Sequence, residues 1–151
     1  MADYTTIPKN AFGFIYKITN LKTNQYYIGK KNYFFKRREK KAIIFVESDW
    51  KTYYGSSDLL TADIKKLGKE NFKREILEVC YSKAELSYKE VYYLFKYDVL
   101  SDTKSYNQNI LGKFYKGTYS KDICSLFKEK TLVKHKNKYK YVPKSKVKSY
   151  I

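Results

Sequence analysis

The chain is poor in the residues that most often carry chemistry. Cysteine occurs twice, at Cys80 and Cys124, in 151 residues. The two are isolated and form neither a CxxC pair nor a framework. That excludes a disulfide-stapled scaffold and favours a reduced, intracellular setting. Histidine occurs once, at His135. A single histidine argues against a His-based triad and a His-led metal site, and two cysteines with one histidine lack zinc-ligand spacing. No glycine-rich phosphate loop is present. No apolar run approaches the roughly 20 residues that span a bilayer. The opening MADYTTIPKN lacks the basic-then-apolar pattern of a secretion signal. The expectation is a cytoplasmic protein with no membrane partner.

What is abundant is positive charge. The formal net charge is +17, and it comes almost wholly from lysine, because arginine stands only at Arg37, Arg38 and Arg74. A surface this basic attracts polyanions, nucleic acid above all, through release of counterions from phosphates. An arginine kept in so lysine-biased a chain hints that its planar fork is needed. If there is an active site, it must use tyrosine, lysine, arginine and a carboxylate.

The pattern along the chain predicts an α+β domain in the order β-β-α-α-β-α-β, followed by a basic tail. Residues 1–11 read as a polar lead-in. FGFIYKIT (12–19) and YYIGKK (26–31) are rich in β-branched and aromatic residues. The turn-forming NLKTNQ between them makes a β-hairpin. FFKRREKKAI (34–43) has helix-forming composition. SSDLLTADIKKLG (56–68) is a helix with a serine cap and a glycine stop. FKREILEVC (72–80) reads as a strand. SKAELSYKEVYYLFKYDVL opens with a capping box, Ser82 to Glu85, and continues as a helix to about Tyr97. SYNQNI (105–110) is a short strand or edge segment. Glycines at 112 and 117 mark a boundary. From Thr118 a short helix is expected, then a tail that alternates lysine with tyrosine and valine. No internal repeat is found.

Glu90 stands out among the carboxylates. Leu86 and Leu94 lie one turn before and after it on nearly the same helical face. An unpaired carboxylate in an apolar stripe is costly, so it calls for a partner: a metal, a lysine or an arginine. A glutamate at the rim of the stripe reaching solvent is the alternative.

FIYKI…YYIG resembles the two-part signature of the GIY-YIG nuclease family. Tyr16 matches the tyrosine of the first half and Tyr27 that of the second, eleven residues on. Lys30 falls three residues after Tyr27, where several members carry a lysine. Arg37 falls ten after Tyr27, at the place of the family's arginine. Glu90, in KEVYYLF, resembles the family's metal-binding glutamate, and Asn107, in SYN, the downstream asparagine. The resemblance covers about residues 12–111. It extends through ESDWKTYYGSS and LGKENFKREIL to the small stand-alone, Seg-like homing endonucleases of phages. The first motif departs from the pattern, reading Phe14-Ile15-Tyr16 with Gly13 one place early. Lys41 stands where members often carry tyrosine or histidine; Tyr53 or Tyr54 is the substitute, and Tyr54 is taken as the site residue.

The resemblance implies a small three-stranded antiparallel sheet flanked by helices over residues 12–117, with a basic extension at 118–151. It implies hydrolysis of phosphodiester bonds in double-stranded DNA with one Mg²⁺, Mn²⁺ being a substitute. Glu90 would hold the metal and Arg37 would clamp the phosphate. Tyr16 or Tyr27 would activate water, Tyr16 being preferred as the base or its close partner, with Tyr27 and Tyr54 orienting the water. Lys30 would stabilise a phenolate, and Asn107 would support the site by hydrogen bonding. Lys31, Arg38 and Lys41 would contact DNA. The extension would either track the DNA backbone or add only non-specific affinity. One site cuts one strand, so cleavage of both requires a dimer or two nicks. The rival reading is an inactive nucleic-acid-binding module on the same fold.

Overall fold

The computed structural model describes residues 2–117 and the backbone of residues 130–135 and 138–143. The short helix expected from Thr118 lies outside the described residues, as does the proposed DNA contact of the tail's side chains.

The predicted hairpin is formed by β1 (Gly13–Asn20) and β2 (Tyr26–Asn32). Asn20 drives the reversal. Its Oδ1 accepts the backbone N–H groups of Lys22 at 3.0 Å and Thr23 at 3.3 Å. Asn24 adopts a φ of 60°, in the left-handed region that asparagine tolerates.

The segment expected as a helix is instead a two-stranded ribbon of β3 (Phe34–Glu39) and β4 (Ala42–Glu47). Arg37 and Arg38 therefore stand on a strand. The helical reading rested on charged residues that are good helix formers. It missed that AIIFVE behind them is β-branched and aromatic, and can pair back at once. The connection is two residues long, with φ of 43° at Lys40 and 73° at Lys41. Positive φ at both central residues matches the twist of a tight hairpin, although lysine is an unusual choice there.

Helix α1 (Asp58–Leu67) is capped by Ser57, whose side chain accepts from the Leu60 N–H at 3.4 Å. It stops at Gly68, with a φ of 86°. Strand β5 (Phe72–Cys80) then pairs with the free side of β1, giving a three-stranded antiparallel sheet in the order β2-β1-β5. A bulge at Leu77 shifts the register, so that Ile15 faces Glu78 and Tyr16 faces Ile76. Helix α2 (Lys83–Lys96) begins at Ser82. Half of the expected capping box forms: Ser82 Oγ accepts the Glu85 N–H at 3.1 Å. The Glu85 carboxylate reaches one residue further back, to the Tyr81 N–H at 2.7 Å. A small hairpin, β6 (Asn109–Ile110) with β7 (Phe114–Tyr115), follows, and β8 (Lys130–His135) pairs with β9 (Lys138–Pro143).

Alternation along the central strand makes two cores. Phe14, Tyr16 and Ile18 face α1 and pack with Tyr33, Trp50, Leu60 and Phe72. Ile15, with Ile28 and Cys80, packs against Leu86 and Leu94 of α2 and against Val99 and Leu100. The sheet is thus a middle layer between two helices. The residues before β1 join the first core: the Tyr4 ring stacks on Trp50, with centroids 6.3 Å apart, and Ile7 and Ala11 pack there too. No helix among the described residues is long and apolar enough to cross a membrane.

One buried side-chain polar atom among the described residues has no hydrogen-bond partner, the hydroxyl of Tyr33. Burial pushes its pKa up to about 12. An unsatisfied buried hydroxyl contributes nothing to set against its desolvation. Tyr33→Phe is therefore expected to leave the urea midpoint unchanged or to raise stability by up to about 1 kcal/mol. A loss larger than that would mean the hydroxyl is satisfied after all.

Candidate active site

The site is assembled on the free edge of β2. Beyond the hairpin, the chain returns through residues 104–107 and runs beside β2 like a partial fourth strand. The Tyr26 N–H donates to the Lys104 carbonyl at 2.9 Å, and the Tyr106 N–H to the Tyr26 carbonyl at 2.7 Å. One step on, the main chain departs and a side chain replaces it. The Asn107 carboxamide accepts the Ile28 N–H at 3.0 Å and donates to the Ile28 carbonyl at 2.8 Å. It thereby completes both backbone groups of a buried edge residue. Ser105 Oγ holds Asn107 from behind, accepting its N–H at 3.1 Å and donating to its Oδ1 at 3.3 Å. Both polar atoms of the carboxamide are used, so Asn107 is a positioning residue.

Where the main chain leaves β2, a cleft of about 710 Å³ opens, lined by Tyr27, Glu90, Asn107, the first turn of α1 with Asp58, and Ser56 just before that helix. Tyr27 enters it from the edge strand. In the hairpin register Gly29 is opposite Tyr16 and Ile18 opposite Tyr27, so the two tyrosines are diagonal neighbours on one face. Their ring centroids are 6.1 Å apart. Gly29 makes this possible. A Cβ there would lie 2.6 Å from the Tyr16 hydroxyl and 2.9 Å from the Tyr27 ring. The Tyr16 side chain crosses over the bare glycine towards the edge.

The two rings then meet different environments. Tyr16 is 2% exposed and is packed edge-on by Tyr53 at 6.0 Å. Burial, then the neighbouring hydroxyls of Tyr27, Tyr53 and Tyr4, and a hydrogen bond to Tyr53, hold its proton far above the ordinary tyrosine range. Tyr27 is also raised by burial, and by Tyr53 and Glu90. In its case hydrogen bonds with Ser56, at 3.3 Å, and with Tyr16 pull the other way. Both phenols are held above the ordinary range, and Tyr27 is the one of the two that lines the cleft.

Glu90 comes from α2, between the buried Leu86 and Leu94, and its side chain is 22% exposed. The partner its position calls for is Lys30, with Nζ 2.8 Å from Oε2. Lys30 Nζ also lies 3.4 Å from Ser87 Oγ. A pair this exposed is screened and worth no more than about 1 kcal/mol, so an incoming phosphate or cation can part it. Among the described residues no three His, Cys, Asp or Glu side chains gather to enclose a metal. Glu90, with Asp58 on the same cleft, is a sparse, hard oxygen set. Mg²⁺ fits such a set, because it keeps several waters and takes one or two carboxylates beside substrate phosphates.

Several residues assigned from sequence lie elsewhere. Arg37, Arg38 and Lys41 share a separate hollow on the exposed ribbon with Lys36 and Ile43. The strand pairing that replaces the expected helix carries them there. Lys31 is turned inward: its side chain is 10% exposed, bridges Asp49 and sits 3.8 Å over the Tyr53 ring. Tyr54 faces Arg74, whose guanidinium lies 4.5 Å from its ring centroid. Tyr53 is the tyrosine of that pair that touches Tyr16. Ser56 was read only as a possible helix cap, since its approach to Tyr27 depends on a contact across 29 residues. In sequence Asp58 is an acidic residue in the first turn of a helix, with nothing to link it to the cleft.

Removing the carboxamide tests the edge clamp. Asn107→Ala leaves two buried backbone groups of Ile28 unpaired and should destabilise by about 2–4 kcal/mol. Amide exchange at Ile28 should accelerate more than exchange at Ile18, in the centre of the sheet. Equal acceleration of both amides would show a global effect with no local clamp.

Residues 2–117 match the family model for the GIY-YIG domain of the endonuclease segE. Neither the curated proteins nor the solved structures include a significant match. The ordered tyrosines, the glycine they cross and the sheet between two helices are accounted for together: the chain belongs to the segE-type GIY-YIG nuclease family.

Proposed function

We propose that the protein is a Mg²⁺-dependent DNA endonuclease, with Mn²⁺ a substitute, that nicks one strand of double-stranded DNA at each active site. The observation that carries this reading is the shared cleft of Tyr27 and Glu90, with Lys30 on Glu90. Glu90, assisted by Asp58, would hold the ion, which supplies polarisation of the phosphate and stabilisation of the leaving oxygen. Tyr27 orients the attacking water and takes its proton, helped by the hydrogen bonds from Tyr16 and Ser56. In this reading Tyr16 is the close partner of the base, because it is buried away from the cleft. Lys30, freed from Glu90, places its charge on the phosphate. The first turn of α1 presents the positive end of the helix to the same cleft. Arg37 has no part in this site. The stand-alone, phage-type homing-like role in an infected host's cytoplasm belongs to the same proposal.

The test is nicking of supercoiled plasmid with Mg²⁺ against an EDTA control. Glu90→Gln and Tyr27→Phe should each lower the rate by at least about 100-fold, while Tyr16→Phe costs less. Equal background from wild type and Glu90→Gln would favour the inactive binding module instead. Linear product without a nicked intermediate would indicate a dimer.

The pH profile is a separate check. The raised pKa of Tyr27 keeps it protonated at neutrality, so the base form grows as pH rises. The rate should climb about tenfold per pH unit through the neutral and mildly alkaline range, and this slope should vanish in Tyr27→Phe. A slope retained in Tyr27→Phe would assign the base elsewhere.

A further inference from the structure

The ribbon β3–β4 does not line the cleft, and among the described residues it packs against no other strand or helix beyond isolated contacts. Its base is nevertheless firmly held. Tyr33 and Trp50, immediately before β3 and just after β4, are fully buried with ring centroids 5.0 Å apart. Ser48 closes the neck, its N–H donating to the Tyr33 carbonyl at 2.8 Å and its Oγ to the Asn32 carbonyl at 2.6 Å. Trp50 Nε1 donates to the Glu47 carboxylate at 2.8 Å. A six-residue ribbon thus projects about 20 Å from a fixed base.

Its surface is made for an anionic partner with apolar patches. Five of the six residues from 36 to 41 are cationic. Neither Arg37 nor Arg38 is engaged by an ion pair or side-chain hydrogen bond among the described residues. Arg37 and Arg38 line one hollow with Lys36, Lys41 and Ile43, and Lys40 and Lys41 form the tip. Ile43 and Phe45 stand beside them, each more than 60% exposed. A lone two-stranded ribbon with such residues in water is marginal and calls for a partner. A second copy would set one cationic ribbon against another. A membrane surface has no link to a nuclease domain, whereas DNA is the polyanion that such a domain implies.

We propose that the β3–β4 ribbon is an arm that enters the DNA major groove beside the cut site, with Arg37 and Arg38 as its contacts. The inference rests on DNA being the substrate. The major groove of B-DNA, about 12 Å wide, admits a two-stranded ribbon. Arginine forks suit both guanine edges and phosphates, and apolar side chains suit thymine methyl groups. The deep, narrow groove of A-form RNA admits neither.

Binding to a labelled DNA duplex, followed by fluorescence anisotropy in EDTA with Glu90→Gln as background, separates this arm from catalysis. Adding R37Q/R38Q should weaken binding at least tenfold and make the slope of log K against log salt shallower by about 1 to 2. Methylation of guanine N7, which crowds the major groove, should weaken the Glu90→Gln protein but not the R37Q/R38Q form. Trp50 fluorescence reports whether the ribbon's neck is intact. If R37Q/R38Q disturbs it, K40G/K41G removes the tip charges with residues that favour the turn, and should also flatten the salt slope. An unchanged slope and affinity, an equal methylation penalty in both forms, or equal binding of duplex RNA would each overturn the arm. Absence of nicking by wild type with this binding pattern intact would instead sink the nuclease reading alone.

Discussion

The two hydrogen bonds between the Asn107 carboxamide and the backbone of Ile28 determine where the site can be. β2 is an edge strand, and a buried edge must have its N–H and C=O groups paired. A full fourth strand would satisfy them, but it would also cover the side of β2 from which Tyr27 opens to the cleft. The chain instead pairs main chain to main chain at Tyr26, then substitutes a side chain at Ile28 and turns away. The edge is satisfied and the cleft stays open. Behind this clamp, Tyr106 shares its hydroxyl with Asn20 at 3.0 Å and Asp63 at 2.7 Å. The returning segment, the first hairpin and α1 are thereby tied at one point.

The crowding of the tyrosines follows from the same edge. Tyr16 comes from the middle of the sheet and can approach the cleft only by crossing β2, and Gly29 is the gap through which it passes. The crossing leaves Tyr16 enclosed, with its proton held, and places it as a hydrogen-bonding neighbour of Tyr27. The two signature tyrosines therefore differ in kind. One is a buried strut that adjusts the other's acidity, and the other meets the solvent of the cleft. Glu90 arrives from the opposite layer, on α2. It stands between Leu86 and Leu94, which pack on the sheet, and it meets Lys30 of the edge strand β2 beside the cleft.

Much of the fold was legible because its signals are local. Asn20 and Asn24 mark the first turn, Ser57 and Gly68 bound α1, and Ser82 starts α2. The alternation of β5 is visible in FKREILEVC. The ribbon was not legible: FFKRREKKAI has the composition of a helix, and what makes it a strand is the partner that follows it. The same misreading put Arg37 at the phosphate of the cleft, because a residue ten positions after Tyr27 reaches it only if the chain coils back as a helix. On a ribbon it is carried away from the cleft. The inward turn of Lys31 was hidden for a simpler reason. A surface lysine and one folded under an aspartate and a tyrosine ring look alike in sequence.

The sequence by itself determined the hairpin, the two capped helices, the basic character, and the ordered set of Tyr16, Tyr27, Glu90 and Asn107. Each of these is written in neighbouring residues or in a family pattern. Only the tertiary structure decided which tyrosine faces the cleft, that Lys30 is the partner of Glu90, and that the arginines stand on a separate arm. Those outcomes depend on register, on which strand is the edge, and on which backbone groups remain to be satisfied once the sheet has formed. They are relations between distant segments, so no window of the chain contains them.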